Sequence, residues 1–460
     1  MVKLRETRHL HFVGIGGIGM SGIAEVLLNL GYRISGSDLA QSDTTTRLAD
    51  LGGEIRIGHD RRHVEGADVV VISSAVRPDN PEVVAARELG IPVIRRAAML
   101  NELMRMKYAI AVAGSHGKTT TTSMIAMVMA RADLDPTVVI GGKLDILGTN
   151  ARLGEGDYLI AEADESDGSF LHLTPTIAVV TNIDNEHLDH YGTFEDLRAA
   201  FAGFLEKVPF YGRAVLCLDD TEVAGLLADL DRPYLTYGLT SQAHVMASAI
   251  THSGFGSSYT ASMRGEELGR VDLNVPGLYN VYNSLAALAV AVELEIPIET
   301  TIGALNDFAG AQRRFQFKGE EAGVTVYDDY GHHPTEIRVT LKAARQGWDG
   351  RIVVIFQPHR YSRTRDLLSE FGTAFHNADE VLVCDIYGAG EDRIENLTGE
   401  TVARTVAGYG HRGVSYVGSR QDALEKALEI LMPGDLVLTF GAGDIWKSGE
   451  DLVARLRERG

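Results

Sequence analysis

The stretch YAIAVAGSHGKTTTTSMIAMVMA, residues 108–130, sets the fold class of this chain. It reads as a buried strand from Ala109 to Ala113, a tight turn from Gly114 to Gly117, and an apolar helix opened by Lys118 and four threonines. A strand that feeds a glycine loop at a helix N-terminus aims backbone N–H groups at a phosphate. Gly114 and Gly117 let the backbone curl around the anion without a Cβ in the way. Lys118 supplies a point charge to the β- and γ-phosphates, and Thr119 a hydroxyl for Mg²⁺. The strict Walker A spacing fails, because Val112 stands where its first glycine belongs, and what remains is G-x-x-G-K-T. The stretch predicts a nucleoside triphosphate site.

Composition bounds what surrounds it. At 460 residues the chain is too long for one core and suggests about three domains. Apolar residues at 45% and charged residues at 23% are those of a globular protein. A net charge of −20 argues against a nucleic-acid groove, which needs a broad basic surface, but leaves room for a local pocket that takes ATP. Two cysteines, Cys217 and Cys384, cannot build a disulfide framework and point to a reducing compartment. No apolar run reaches the roughly 18 residues that span a bilayer. The expectation is a cytoplasmic protein with no membrane partner.

Upstream, LHFVGIGGIGMSGIAEVLLNLGYRISGSD (10–38) holds a strand, then Gly14, Gly16 and Gly19 in G-x-G-x-x-G, a helix, and a second strand ending at Asp38. This is the βαβ dinucleotide fingerprint, with an acid placed to meet a ribose hydroxyl. The physics specifies a diphosphate at a helix N-terminus and a sugar near Asp38, and a UDP-sugar satisfies that as well as NAD does. Residues 67–76 read as a buried strand ending in serines, and 91–100 as a short strand running into a helix.

Downstream, the strand of DYLIAEADESDGSF (157–170) delivers Glu162, Asp164, Glu165 and Asp167. Four carboxylates together repel unless a cation neutralises some of them; the alternative is a solvated acidic loop. The next strand, 177–181, ends in Asn182, Asp184, Asn185, Glu186, His187, Asp189 and His190, and His187 reads as a metal ligand or phosphate contact. Residues 234–276 suggest a small antiparallel sheet. A helix from about Asn280 places Asn280 and Asn283 on one face, as caps or as contacts to a base or ribose. GAQRRFQFKG (310–319) looks like a boundary, after which an α/β pattern restarts. Its strands end in Asp, His and Arg, consistent with a site for a small anionic substrate or with charged loops on a doubly wound sheet.

In order, GIGGIGMSGIA (14–24), AVAGSHGKTTT (111–121), AEADESD (161–167), TNIDNEHLDHYGT (181–193), NVYNSLAA (280–287), QRRF (312–315), DDYGHHPTE (328–336), FQPHRYSRT (356–364) and FGAGD (440–444) resemble the Mur ligase family over nearly the whole chain. The resemblance implies an α/β protein of three domains: a Rossmann-like UDP-sugar domain (1–107), a central P-loop ATPase domain with the small antiparallel sheet (108–312) and a C-terminal Rossmann-like domain (313–460). It implies an ATP-dependent amide ligase of peptidoglycan precursor synthesis, working through an acyl phosphate. The nearest branch adds L-alanine to UDP-N-acetylmuramate; the alternative branch attaches a preformed tripeptide to the same sugar. Two Mg²⁺ sites and a monomer or weak homodimer follow from the same resemblance.

Carried over by motif, Gly114, Ser115, His116, Gly117, Lys118, Thr119 and Thr120 would hold the ATP phosphates, Asn280 and Asn283 the adenine, and Arg314 and Asp329 the phosphates and ribose. Thr119, Glu162 and His187 would ligate metal. Gly16, Gly17, Ile18, Gly19, Asp38, Ser73 and His187 would meet the UDP-sugar, and Tyr330, His332, Arg360 and Arg363 the amino acid. Lys118, Glu162, His187, Arg314 and Asp329 are the expected catalytic set. Several relatives carry a carbamoylated lysine fourteen residues after the metal histidine; here Phe201 stands there, as in the alanine-adding branch. An NAD-dependent oxidoreductase leaves the second phosphate loop unexplained. A nucleotide-gated binding module differs from a ligase in releasing no phosphate.

Overall fold

His9–Val13 (β1) is five buried residues in a row, the pattern of a strand covered on both faces. It pairs in parallel with Arg33–Asp38 (β2). With Glu54–Ile57 (β3), Val69–Ile72 (β4) and Val93–Arg95 (β5) it forms a parallel sheet in the order β3-β2-β1-β4-β5. The order reverses between β1 and β4, so a crevice opens outside their carboxyl ends, where open α/β sheets bind ligands. The strand expected over 67–76 is confined to Val69–Ile72, because the chain turns at Ser73, whose carbonyl takes the Val76 N–H at 3.2 Å. The computed structural model describes residues 7–73, 75–144 and 149–459, so Ser74 of that expected strand lies outside the described residues.

Tyr108–Ala113 (β6), Thr137–Leu144 (β7), Thr149–Arg152 (β8), Tyr158–Glu162 (β9), Ile177–Val180 (β10) and Arg213–Cys217 (β11) belong to a second sheet. Tyr234–Gly238 (β12), Val245–Ser253 (β13), Gly256–Met263 (β14) and Glu266–Leu273 (β15) extend it, in the order β15-β14-β13-β12-β11-β10-β6-β9-β7-β8. The region 234–276, expected as a small antiparallel sheet, is continuous with this one: β12 pairs in parallel with both β11 and β13. Short alternating segments reveal a period but not a partner. β6 lies between β9 and β10 and runs parallel to both, which makes its carboxyl end a second switch point. Phe201 is fully buried with its ring 5.2 Å from that of Phe170.

The third sheet holds Gln316–Glu321 (β16), Val324–Asp329 (β17), Ile352–Phe356 (β18), Glu380–Cys384 (β19), Val414–Gly418 (β20) and Leu436–Phe440 (β21) in the order β16-β17-β21-β18-β19-β20. Residues 316–319, read as part of a boundary, open the strand β16, antiparallel to β17. Its residues are exposed or half-buried throughout, so it shows no apolar alternation. Asp328 and Asp329 lie inside β17 instead of in the turn beyond it. The chain divides into one compact unit of residues 1–248, 260–271 and 282–307 and another of 249–259, 272–281 and 308–460. Both cysteines are buried thiols, and no described helix is long and apolar enough to cross a membrane.

Candidate active site

In the first unit, β6 runs straight into the glycine loop. Gly114 adopts φ +131° and Gly117 φ +84°, backbone that side chains resist. Space excludes a side chain as well: a Cβ on Gly114 would lie 2.0 Å from Thr181 Oγ1, and one on Gly117 2.5 Å from Asn283 Oδ1. The helix Lys118–Arg131 begins at once, so Lys118, Thr119 and Thr120 form its first turn, where N–H groups have no helical partner.

The end of β10 holds this loop in shape. Asn182 Oδ1 accepts the His116 N–H at 2.8 Å while Asn182 Nδ2 donates to the His116 carbonyl at 3.0 Å. Thr181 donates to the same carbonyl at 2.6 Å, and Ser115 Oγ accepts the Asp184 N–H at 2.8 Å. The His116 ring nitrogen Nε2 lies 3.0 Å from Asp184 Oδ2. Thr181 and Asn182 carry no chemistry of their own, and only the pairing of β10 beside β6 reveals their role as clamps.

Lys118 Nζ donates to the carbonyls of Gly114 at 2.6 Å and Ser115 at 3.2 Å, and to Glu165 Oε1 at 2.7 Å. Burial lowers its pKa, but the charges of Glu165, Asp164 and Glu186 outweigh that and raise it overall. Glu165 is the acid that meets the lysine, a role the sequence left undivided among four carboxylates. Burial pushes Glu165 up to about 7 against the pull of Lys118. Its Oε2 is buried without a hydrogen-bond partner among the described residues. Glu162 ends β9. His187 sits at φ +60° with Nε2 3.5 Å from Glu186 Oε2 and 3.8 Å from Glu165 Oε1. Lys118, Glu165 and His187 therefore converge, as the switch point at β6 requires.

The fingerprint loop has the same logic. Gly16 donates its N–H to Asp38 Oδ2 at 2.8 Å, and Asp38 Oδ1 takes the Leu39 N–H at 2.8 Å. Gly17 is the N-cap of the helix Ile18–Asn29, and Ser73 follows β4 on the other side of the crevice. A Cβ on Gly19 would meet Arg96 Nη1 at 2.9 Å, which brings a cation to this helix start. Arg96 carries no local signal, because it arrives from a helix far along the chain.

In the second unit, Asp329 Oδ2 accepts the Phe315 N–H at 2.8 Å and Oδ1 the Gly331 N–H at 2.7 Å. Burial pushes its carboxyl up to about 6, with Arg314 pulling it down. Arg314 pairs with Glu336 at 3.2 Å and lies 5.4 Å from the centroid of the Tyr330 ring. Its neighbour Arg313 instead pins the loop, with Asp328 at 3.0 Å and the Gly441 carbonyl at 2.5 Å. The rings of Tyr330 and His332 lie 5.4 Å apart, and those of His332 and His359 5.9 Å apart. Arg363 Nη1 donates to His359 Nδ1 at 3.2 Å, and His359 stacks on Tyr387. Burial lowers His332 to about 3 and His359 to about 4, so both rings are neutral near pH 7. Arg360 sits at φ +67° with its N–H on the Tyr387 carbonyl at 2.8 Å. The structure thus brings His332 and Arg363 to His359, which the expected amino-acid set omitted, and Tyr330 to His332.

Each asparagine has its own place. Asn280 Nδ2 donates to the Pro276 carbonyl at 2.8 Å, holding the start of the helix Leu278–Glu293. Asn283 Oδ1 accepts the Thr121 hydroxyl at 3.2 Å, beside Gly117 of the phosphate loop.

Residues 9–108 match the Mur ligase family catalytic domain, 112–291 the Mur ligase middle domain and 313–443 the Mur ligase glutamate ligase domain. The chain is 57% identical over 453 residues to UDP-N-acetylmuramate–L-alanine ligase of Geotalea daltonii, covering 98% of this chain and 99% of the relative. It is 58% identical over 451 residues to the enzyme of that name from Geobacter sulfurreducens, covering 98% of each. Among solved structures it superposes on the UDP-N-acetylmuramate–alanine ligase of Thermotoga maritima with TM-score 0.83 at 30% identity, covering 98% of this chain and 100% of that one.

Proposed function

The chain belongs to the Mur ligase family, and on that footing we propose how its residues carry out the reaction its relatives are named for. It is an ATP-dependent ligase that joins L-alanine to the carboxylate of UDP-N-acetylmuramate. The observation that carries this reading is the placement of Lys118 on the glycine loop, with Glu165 against it, His187 3.8 Å from that carboxylate and Glu162 at the end of the flanking strand.

The sugar carboxylate attacks the γ-phosphorus of ATP, the bond to ADP breaks, and an acyl phosphate forms. The amine of L-alanine then attacks the acyl carbon, and phosphate leaves with its electron pair. Both partners of the first step are anions, so positioning and charge neutralisation do most of the work. Lys118 binds the β- and γ-phosphates, exchanging the carboxylate of Glu165 for phosphate oxygen. Gly114 to Thr120 wrap the triphosphate, Asn280 and Asn283 contact the adenine, and Arg314 with Asp329 take phosphate and ribose.

Thr119, Glu162 and His187 would hold Mg²⁺ at two sites, and the cation would offset the charge of the phosphates and the sugar carboxylate. Thr119 and Glu162 offer the oxygen donors that a hard cation prefers and His187 one nitrogen, and Glu165, whose Oε1 lies 3.8 Å from His187 Nε2, has its Oε2 buried without a hydrogen-bond partner among the described residues. Gly16, Gly17, Ile18, Gly19, Asp38 and Ser73 bind the UDP-sugar, and Tyr330, His332, Arg360 and Arg363 the amino acid. We assign the three roles to residues 1–107, 108–312 and 313–460, and place a monomer or weak homodimer in the cytoplasm.

The test is phosphate release from ATP and Mg²⁺ with UDP-N-acetylmuramate, comparing L-alanine with a tripeptide and using Lys118→Ala as control. Release with L-alanine that disappears in the variant is expected. Release with tripeptide alone would move the protein to the recycling branch, and release with neither would refute the reading.

A further inference from the structure

One buried polar cluster in the first unit is unused by this chemistry. Glu82, in the first turn of the helix Pro81–Glu88, is fully buried, as are His11 and Ser37, while His9 and Ser35 are 5% and 3% exposed. His9 and His11 alternate with the core residues Leu10 and Phe12, so they share the opposite face of β1. Around Glu82 stand His9 and His11 from β1, Ser35 and Ser37 from β2, and His59, Asp60 and His63 from the segment after β3. Asp68 accepts the His9 N–H at 2.9 Å, and Glu54 and Arg33 form an ion pair on the neighbouring strands. So many titratable groups in an interior are costly unless each is satisfied.

Counting protons shows what satisfaction requires. His9 Nδ1 meets the Gly66 carbonyl at 2.8 Å, His9 Nε2 meets Ser35 Oγ at 2.7 Å, Ser35 Oγ meets His11 Nδ1 at 2.8 Å, and His11 Nε2 meets Glu82 Oε2 at 3.5 Å. Both ends of this chain, a carbonyl and a carboxylate, only accept. Its four links therefore need four protons, whereas two neutral imidazoles and one hydroxyl bring three. Without the fourth proton one contact sets lone pair against lone pair, and the long His11–Glu82 contact is the weakest link. The carboxylate is otherwise held by Ser37, whose hydroxyl donates at 2.5 Å, and by His63 at 2.6 Å. Burial pushes Glu82 up, but the hydrogen bonds of His11, Ser37 and His63 outweigh it and hold its pKa at about 2, so the carboxylate is the accepting end of the relay.

Ser37 connects this cluster to the fingerprint loop. Its carbonyl accepts the N–H groups of Gly14 at 2.8 Å and Ile15 at 3.0 Å, and the next residue, Asp38, accepts that of Gly16 at 2.8 Å. We propose that Glu82 is a positioning residue for the UDP-sugar site, acting through Ser37, and that the His9–Ser35–His11–Glu82 relay holds one proton that keeps it in place. This rests on the reading of Gly16 to Gly19 and Asp38 as that site. Loss of the proton turns the His11–Glu82 contact repulsive, loosens Ser37 and disorders the loop, so UDP affinity falls as pH rises.

The experiment is calorimetric titration of the full chain with UDP between pH 6 and 9, in buffers of differing ionisation enthalpy, for wild type, Glu82→Gln and His11→Asn. One linked proton limits the wild-type loss to about tenfold per pH unit. Glu82→Gln is expected to bind UDP about tenfold more weakly at pH 6, both variants to show a flat profile, and both to keep wild-type affinity for ATP. A wild-type profile in both variants, or equal proton uptake in all three proteins, would overturn the proposal while leaving the UDP site intact. Wild type that binds no UDP at any pH would overturn the site reading and the proposal with it. His11→Asn leaves Glu82 its Ser37 and His63 bonds, so it decides the matter if Glu82→Gln fails to fold.

Discussion

Replacing Asn182 with alanine tests whether the phosphate loop is shaped in advance by the strand beside it. The amide of Asn182 pairs with both polar atoms of the His116 peptide, at 2.8 and 3.0 Å. Each such bond contributes about 0.5–1.5 kcal/mol net, so the pair amounts to about 1–3 kcal/mol. The His116 carbonyl keeps the Thr181 hydroxyl at 2.6 Å, which favours the lower half of that range. If the loop must be re-formed when ATP binds, this energy is drawn from affinity, and about 1.4 kcal/mol is tenfold. Asn182→Ala should therefore raise the Kd for ATP by about 5- to 30-fold, read by calorimetry, with a much smaller change in kcat at saturating ATP. Asn182→Asp, which keeps the acceptor for the His116 N–H but sets an anion against its carbonyl, should do no better than alanine. An unchanged ATP affinity in a folded Asn182→Ala protein would refute the argument, because the loop would then be set by its glycines alone.

Three more outcomes follow from the geometry. Gly16→Val places a Cβ 2.9 Å from Asp38 Oδ2 and 3.0 Å from Thr45 Cγ2, so calorimetry should show UDP affinity lost and ATP affinity kept. Phe201→Ala empties a fully buried site against Phe170 and should cost about 3–5 kcal/mol in chemical denaturation. Asp329 has its pKa raised to about 6 by burial, above the ordinary carboxyl value, so the folded chain binds the proton more readily than the unfolded one. This contribution is therefore full below the unfolded value and is lost as pH rises through about 6. Relative to Asp329→Asn, the wild type should lose stability across pH 4 to 6 in urea unfolding. A constant difference over that range would show that Asp329 titrates in the folded chain as it does in the unfolded one.

The reach of the sequence follows from the range of the forces it encodes. Strand, glycine turn and helix start at 108–130 are local properties: torsional freedom at Gly114 and Gly117 and apolar runs on either side. The fingerprint at Gly14 to Gly19 is local in the same way, so both glycine loops with their strands and helices were legible, and the order of the motifs pointed to the family. Exposed strands were not. β16 has no apolar face, and its identity comes from hydrogen bonds to β17. Tertiary structure also decided which acid meets Lys118. Glu162, Asp164, Glu165 and Asp167 all lie at or just beyond the end of one strand, yet only the fold brings Glu165 to 2.7 Å from the lysine. Arg96 was invisible for that reason, and Asn182 and His359 were legible only as strand-end residues, without the partners the fold gives them. Glu82 is the extreme case: an ordinary acid in the sequence, it gathers His11, Ser37, His59 and His63 from three other segments in the fold. Contacts between distant segments set its charge, and no local pattern records them.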